Sequence, residues 1–274
     1  MYTLTVANQK GGVGKTTTTV ALAESLSRLE YRVLVIDFDG QANLTGWVYG
    51  RELAPEEVSI HDVLKEQEWT LHNASDHAEA FGFDFVGASE SLFDLDASFS
   101  DERFPQFALQ ESIEELQETA ETRVEARYDV CIVDCPPALG LAVTMALCAS
   151  DGLLIPTTLE SMAIQGLSKL LEDVNEVRKR ANPSLDVVGI VATMVDVRRR
   201  MTPEIHQMLV DTYGDLYLDD VRIRPRTTIS EASALGTTIK QRSHSKGNQD
   251  YRFYDELTNA LVERIGIEPL AVQA

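Results

Sequence analysis

The chain has 274 residues, 44% of them hydrophobic, enough to fill a sizeable core. No stretch approaches the roughly 20 apolar residues of a membrane span, and the start of the chain lacks the charged, apolar and cleavage regions of a signal peptide; a soluble cytoplasmic protein is expected. With 44 acids against 24 bases, a formal charge of −20 and only seven lysines, the surface suits a high-salt cytoplasm, where dense charge keeps a protein hydrated.

Thr3 to Ala7 reads as a buried first strand. A glycine-rich turn follows, then a helix from about Lys15 to Leu29. Tyr31 to Asp37, with the run Val33-Leu34-Val35-Ile36, is a continuous apolar strand of the kind buried on both faces. The stretch from Arg51 to Glu125 is less regular and acidic; the spacing of its His61, His72 and His77 points to surface histidines rather than a metal site. Val130 to Asp134 is the next strand, stopped by Pro136-Pro137. Leu153 to Pro156 and Val187 to Met194 are two more, and helical patterns occupy Leu139 to Ala149, Ile164 to Ala181 and Pro203 to Tyr213. Tyr251 to Ile265 closes the chain as a helix with Tyr254, Leu257, Leu261 and Ile265 on one face. Its polar face carries acids, which argues against a membrane-binding tail.

Strands alternating with helices predict an α/β fold: a doubly wound, mostly parallel sheet covered by helices on both faces. Ligands then sit at the carboxyl ends of the strands. One domain spanning residues 1–274 is expected, with no internal repeat and no low-complexity linker. Cys131, Cys135 and Cys148 stand among apolar or small residues and read as reduced core thiols.

Gly11, Gly12 and Gly14 leave a backbone free of side chains, whose N–H groups can curl around phosphate oxygens. The helix that follows adds its positive end. Within this phosphate-binding run, Lys15 is placed to reach the β- and γ-phosphates of a nucleotide, and Thr16 offers a hydroxyl to Mg²⁺. The general pattern Gly-x4-Gly-Lys-Ser/Thr requires glycine at position 9, where Gln9 stands.

Lys10-Gly11-Gly12-Val13-Gly14-Lys15-Thr16-Thr17 instead resembles the deviant Walker A motif of the ParA/MinD class of ATPases. That resemblance implies a P-loop fold and a slow, magnesium-dependent ATP hydrolase, with ATP and Mg²⁺ held by all eight residues of the run. It also implies that Lys10 crosses a dimer interface to the nucleotide of the other subunit, as an arginine finger does. Val33-Leu34-Val35-Ile36-Asp37-Phe38-Asp39 resembles the second motif of the class: Asp39 would orient or activate the attacking water, and Asp37 would lie nearer the Mg²⁺ shell. Cys131-Ile132-Val133-Asp134-Cys135-Pro136-Pro137 resembles Walker B, with Asp134 holding Mg²⁺ through water.

Ala7-Asn8-Gln9-Lys10 ahead of the loop is similar to the ParA/Soj partition ATPases. Asp39-Gly40-Gln41-Ala42-Asn43-Leu44-Thr45 resembles their Asp-Pro-Gln-Gly-Asn run, with Gly40 in place of the usual proline and Ala42 in place of the usual glycine. The resemblance implies a cytoplasmic, nucleoid-associated homodimer that binds DNA without sequence preference. It also implies a ParB-like or other partner that stimulates hydrolysis, and no membrane role. Thr193-Met194-Val195-Asp196-Val197-Arg198 is similar to one DNA-contacting segment, making Arg198 the first candidate, with Arg199 and Arg200 extending it. Ile223-Arg224-Pro225-Arg226 resembles a second; there Arg224 and Arg226 are DNA candidates and Pro225 is a candidate for packing on the adenine.

Charge distribution agrees. Arg178 to Arg252 holds 13 bases and 9 acids, whereas the remainder holds 11 bases and 35 acids; a face for a polyanion belongs in the C-terminal third. Phosphate contacts lose roughly 10³–10⁵ in affinity between 50 and 200 mM salt for 6–10 contacts. Binding in molar salt therefore calls for many contacts, or a dimer to multiply them. Two other readings of the class stay open: a MinD-like ATPase cycling on membranes, and an iron–sulfur carrier of the Mrp type. The carrier needs cysteines that bridge two subunits; Cys131 and Cys135 bracket the Walker B strand instead.

Overall fold

The computed structural model describes residues 1–66, 68–196 and 202–270. From the first residue the chain runs through β1 (Tyr2–Val6), α1 (Lys15–Arg28), β2 (Val33–Asp37), α2 (Asn43–Tyr49), α3 (Ile60–Lys65) and α4 (Leu71–Ala74). Next come β3 (Asp76–Ala78), β4 (Phe83–Val86), α5 (Leu95–Ser98), α6 (Ala108–Thr122), β5 (Val130–Asp134) and α7 (Leu141–Ala149). The last part holds β6 (Gly152–Thr158), α8 (Ser161–Arg180), β7 (Asp186–Thr193), α9 (Thr202–Tyr213), β8 (Tyr217–Arg222), α10 (Thr227–Ala234), α11 (Ile239–Ser245) and α12 (Arg252–Ile265).

The strands form one sheet in the order β3-β4-β2-β5-β1-β6-β7-β8, parallel throughout except for β3 on β4. Apolar strands buried on both faces demand helices above and below. Leu34 and Ile36 of β2 enter one core, with Ile60, Leu109 and Leu167 from α3, α6 and α8. Val33 and Val35 enter the other, with Leu22, Trp47, Ala232 and Leu257 from α1, α2, α10 and α12. The order of the central strands, β2-β5-β1, sets Asp37 beside Asp134 and Asp134 beside Val6, whose strand leads into the glycine loop.

The expected strands and helices are present, with ends shifted by up to three residues. Pro156 lies inside β6, not at its end, because the strand continues in register with β7 to Thr158. The region from 51 to 125 is more regular than its sequence suggests. It contributes two strands and the 15-residue helix α6, which buries Leu109, Ile113 and Leu116 and turns its glutamates to solvent. Its histidines are scattered: His61 meets Ser98 at 3.1 Å and His77 meets Asp84 at 2.6 Å. The edge strand β8 and the helices α10 and α11 were not expected from periodicity. All three cysteines are buried and free, and burial pushes the Cys131 thiol up to about 12. Among the described residues no helix is long and apolar enough to cross a membrane.

Candidate nucleotide site

The loop from Lys10 to Gly14 leaves the end of β1 and closes on the first turn of α1. Gly12 and Gly14 have φ of +71° and +84°, the left-handed region that glycine enters without a Cβ clash. Two neighbouring side chains brace the loop. Asn8 donates to the carbonyl of Pro156 at 2.7 Å and accepts from the Lys10 N–H at 3.0 Å. Thr193, at the end of β7, donates to the carbonyl of Val13 at 2.7 Å.

Three carboxylates meet this loop. Asp134 is 1% exposed and accepts from the hydroxyls of Thr16 at 2.7 Å and Thr19 at 3.1 Å. Burial, and then the charge of Asp37, push its carboxyl up to about 8. Lys15 is 7% exposed; burial pulls its ammonium down, against the charges of Asp134 and Asp39. A carboxylate raised this far calls for a cation. The Thr16 hydroxyl and the Asp134 carboxylate form an all-oxygen pair of the kind a magnesium ion takes.

Asp37 is fully buried. One oxygen accepts from the Thr45 N–H at 2.9 Å and the Thr45 hydroxyl at 2.7 Å; the other accepts from the Asp39 N–H at 3.2 Å. Burial moves its carboxyl up to about 6. The sequence expectation sets Asp37 near the Mg²⁺ shell; the strand pairing sets it beside Asp134, and its hydrogen bonds shape the turn that carries Asp39. Asp39 is 8% exposed, accepts from the Gln41 N–H at 3.0 Å and faces the loop cavity.

Two cavities adjoin at Gly14 and Thr17. One, of about 380 Å³, is lined by Gly11, Gly12, Lys15, Thr16, Asp39 and Trp47 among others. The second, of about 360 Å³, is lined by Ile223, Pro225, Ile229 and Tyr254, with Arg224 and Arg226 at its walls. Pro225 thus lines a cavity that adjoins the glycine loop. Met194 borders both cavities, is half-exposed and holds φ of +51°, a conformation unusual for a side-chain-bearing residue. Sequence gave no sign of that strain, nor of Thr45, Trp47 or Tyr254.

Lys10 lies at the rim, one-third exposed. Its ammonium pairs with Glu160 and donates to the Thr158 hydroxyl at 3.2 Å. Of the DNA candidates, Arg198, Arg199 and Arg200 lie outside the described residues. Arg224 is exposed. Arg226 donates to Asp250 at 2.9 Å and lies 5.6 Å over the Phe253 ring. Nearby, Arg242 and Lys246 converge on Glu231.

A glycine loop opening onto a helix, a buried lysine, and a threonine paired with a strand-end aspartate on a doubly wound sheet define a P-loop ATPase. A family profile described as "AAA domain" matches residues 1–187. The Caulobacter vibrioides chromosome partitioning protein ParA is 32% identical over 237 residues, covering 86% of this chain and 85% of its own. The Bacillus subtilis sporulation initiation inhibitor protein Soj is 33% identical over 236 residues, covering 86% and 89%. Among solved structures, cobyrinic acid a,c-diamide synthase from Mycobacterium smegmatis with bound ATP analog and magnesium superposes with a TM-score of 0.80 at 27% identity, covering 99% of each chain. The chain belongs to the ParA/Soj family of P-loop ATPases.

Proposed function

We propose that the whole chain is one ATPase unit that binds Mg-ATP, pairs with a second copy around the nucleotide, associates with nonspecific DNA in that form, and hydrolyses ATP slowly until a partner protein stimulates it. The observation that carries the nucleotide reading is the Thr16–Asp134 contact of 2.7 Å beside the buried Lys15. The solved structure with bound ATP analog and magnesium supports the Mg-ATP part, and the chromosome partitioning relative supports a positioning role.

In this reading the N–H groups from Gly11 to Thr17, with Val13 fixed by Thr193, cradle the phosphates, and Lys15 crosses to the β- and γ-phosphates. Thr16 and Asp134 hold the magnesium ion, which when bound neutralises charge on the phosphate oxygens. Asp37, beside Asp134, lies near the magnesium shell and fixes the turn so that the Asp39 carboxylate takes a proton from, or orients, the attacking water. Lys10 leaves Glu160 and reaches the γ-phosphate held by the second copy, delivering a cation to the charge that develops there. Arg224, Arg226 and the run Arg198-Arg199-Arg200 supply phosphate contacts to DNA, which position without reading sequence.

Co-sedimentation with double-stranded DNA and with anionic liposomes, at low and high potassium chloride and with ATP, ADP or no nucleotide, tests the function. DNA pelleting only with ATP is the expected result. Pelleting with liposomes instead would replace this reading with a membrane-cycling one.

A further inference from the structure

Helix α2 lines the loop cavity through Asn43 and Trp47 and is hydrogen-bonded to the segment that follows α10. At its first turn, Thr45 holds Asp37 through its N–H and its hydroxyl, and the same hydroxyl accepts from the Ala88 N–H at 2.8 Å. Asp37 in turn accepts from the Asp39 N–H. Two residues further on, the Trp47 indole N–H donates to the carbonyl of Thr237 at 2.9 Å. Thr237 follows α10, whose Ile229, Ser230 and Ser233 line the cavity around Pro225. The Trp47 carbonyl also packs against Gly236, 3.5 Å from where a Cβ would stand, at φ of +60°. Trp47 is 2% exposed and Thr45 is fully buried. Helix α2 and these hydrogen bonds therefore join the segment that follows α10, whose residues line the Pro225 cavity, to the backbone N–H of Asp39.

We propose that Thr45 and Trp47 are positioning residues for hydrolysis: they carry the presence of a base in the Pro225 cavity to the Asp39 turn. This rests on the nucleotide reading above. Neither side chain lines the base cavity, and Trp47 borders the loop cavity beside Asp39, so their effect falls on turnover and leaves affinity for the base alone. Such a link has a physical basis. The bonds around Thr45 and Asp37 are buried and share atoms, so a shift of α10 passed on through Trp47 disturbs the turn that carries Asp39. It also makes hydrolysis depend on a complete nucleoside triphosphate rather than on phosphates alone.

The test uses the full chain. Trp47→Phe stays aromatic and loses the donor, and should lower kcat for ATP by roughly three- to tenfold, as loss of one hydrogen bond implies, with the Kd for adenosine unchanged. Thr45→Val should lower kcat further, and Thr45→Ser, which keeps the hydroxyl, should restore most of it. With Trp69→Phe, Trp47 is the sole tryptophan, and its emission should change on adding adenosine, which carries no phosphate. A Trp47→Phe variant with altered Kd for adenosine and normal kcat, a Thr45→Ser variant as slow as Thr45→Val, or emission unmoved by bound adenosine would each overturn the proposal. Adenosine that fails to compete with ATP would remove the base cavity and this link with it. Loss of Mg-ATP binding in the unmutated protein would mark failure of the nucleotide reading instead.

Discussion

At the phosphate pole, charged groups are buried and locked to one another; on the C-terminal helices they are exposed and tied to nearby acids. Lys15, Asp37, Asp39 and Asp134 are all under 9% exposed, and each is held by a threonine, a backbone N–H or an opposite charge. Arg226, Arg242 and Lys246 sit at the surface, spent on Asp250 and Glu231. Buried charge is costly unless every partner is placed, so such a cluster marks a site built for one ligand. Surface pairs are worth little and re-form easily, so the arginines can trade a carboxylate for a phosphate at small cost. One region is specific and rigid, the other adaptable, as the proposed association with nonspecific DNA requires.

The sharpest way to break this contrast is at the buried pole. Asp39→Ala should lower ATP hydrolysis by roughly 10²–10⁴, the usual worth of a positioned acid–base group, while ATP binding persists. A steady-state assay showing less than a tenfold loss would remove Asp39 from the chemistry.

The same pole should give the nucleotide-free protein a characteristic pH dependence. Folding raises the carboxyls of Asp37 to about 6 and Asp134 to about 8, from about 4 in the unfolded chain. A raised folded value means that the stability contribution is complete below the unfolded value and is lost as pH rises through the folded one. Thermal melts should therefore fall from about pH 5 to pH 8 by way of these groups. Asp134→Asn should flatten the decline, and Mg-ATP should suppress it. A decline equally steep in Asp134→Asn would show that the buried cluster is not its source.

At the surface the effects are smaller. Arg224→Ala should weaken DNA binding roughly three- to tenfold and reduce the salt slope by about one. Asp250→Asn should tighten binding by releasing Arg226. If neither change moves the salt dependence, the C-terminal face is not the DNA surface.

How much of this was legible followed from the same contrast. The glycine loop, Lys15 and Thr16 sit on a strand–turn–helix whose spacing is dictated by phosphate geometry, and Asp134 ends an apolar strand stopped by Pro136-Pro137, so local sequence carries them. The parallel core strands announce themselves as apolar runs. Helix α6 did not: its glutamate-rich sequence hides a three-residue buried stripe. Strand β8 lies at the sheet edge with Asp219 and Asp220 exposed; Tyr217 enters one core and Leu218 and Val221 the other, a pattern that neither an apolar run nor strict alternation announces. Thr45 and Trp47 gain meaning from partners at 88 and 237, contacts that no local pattern encodes. Lys10 was legible as a motif residue, but not its pairing with Glu160, which lies 150 positions away.

The smallest expected effect lies between the two regions. Ala42 holds φ of +50° where the related run carries glycine. Such a conformation costs an alanine roughly 1 kcal/mol, partly offset by the greater unfolded-state freedom of glycine, so Ala42→Gly should stabilise the fold by about 0.5 kcal/mol. Denaturant melts showing destabilisation would mean that the strain is absent.

Light scattering of the purified chain with Mg-ATP, for the unmutated protein, Lys10→Ala and Asp39→Ala, bears most directly on the nucleotide-sandwich reading. That reading predicts a dimer that decays with hydrolysis in the first, a monomer in the second and a lasting dimer in the third. One unchanging mass for all three, with and without nucleotide, would contradict it.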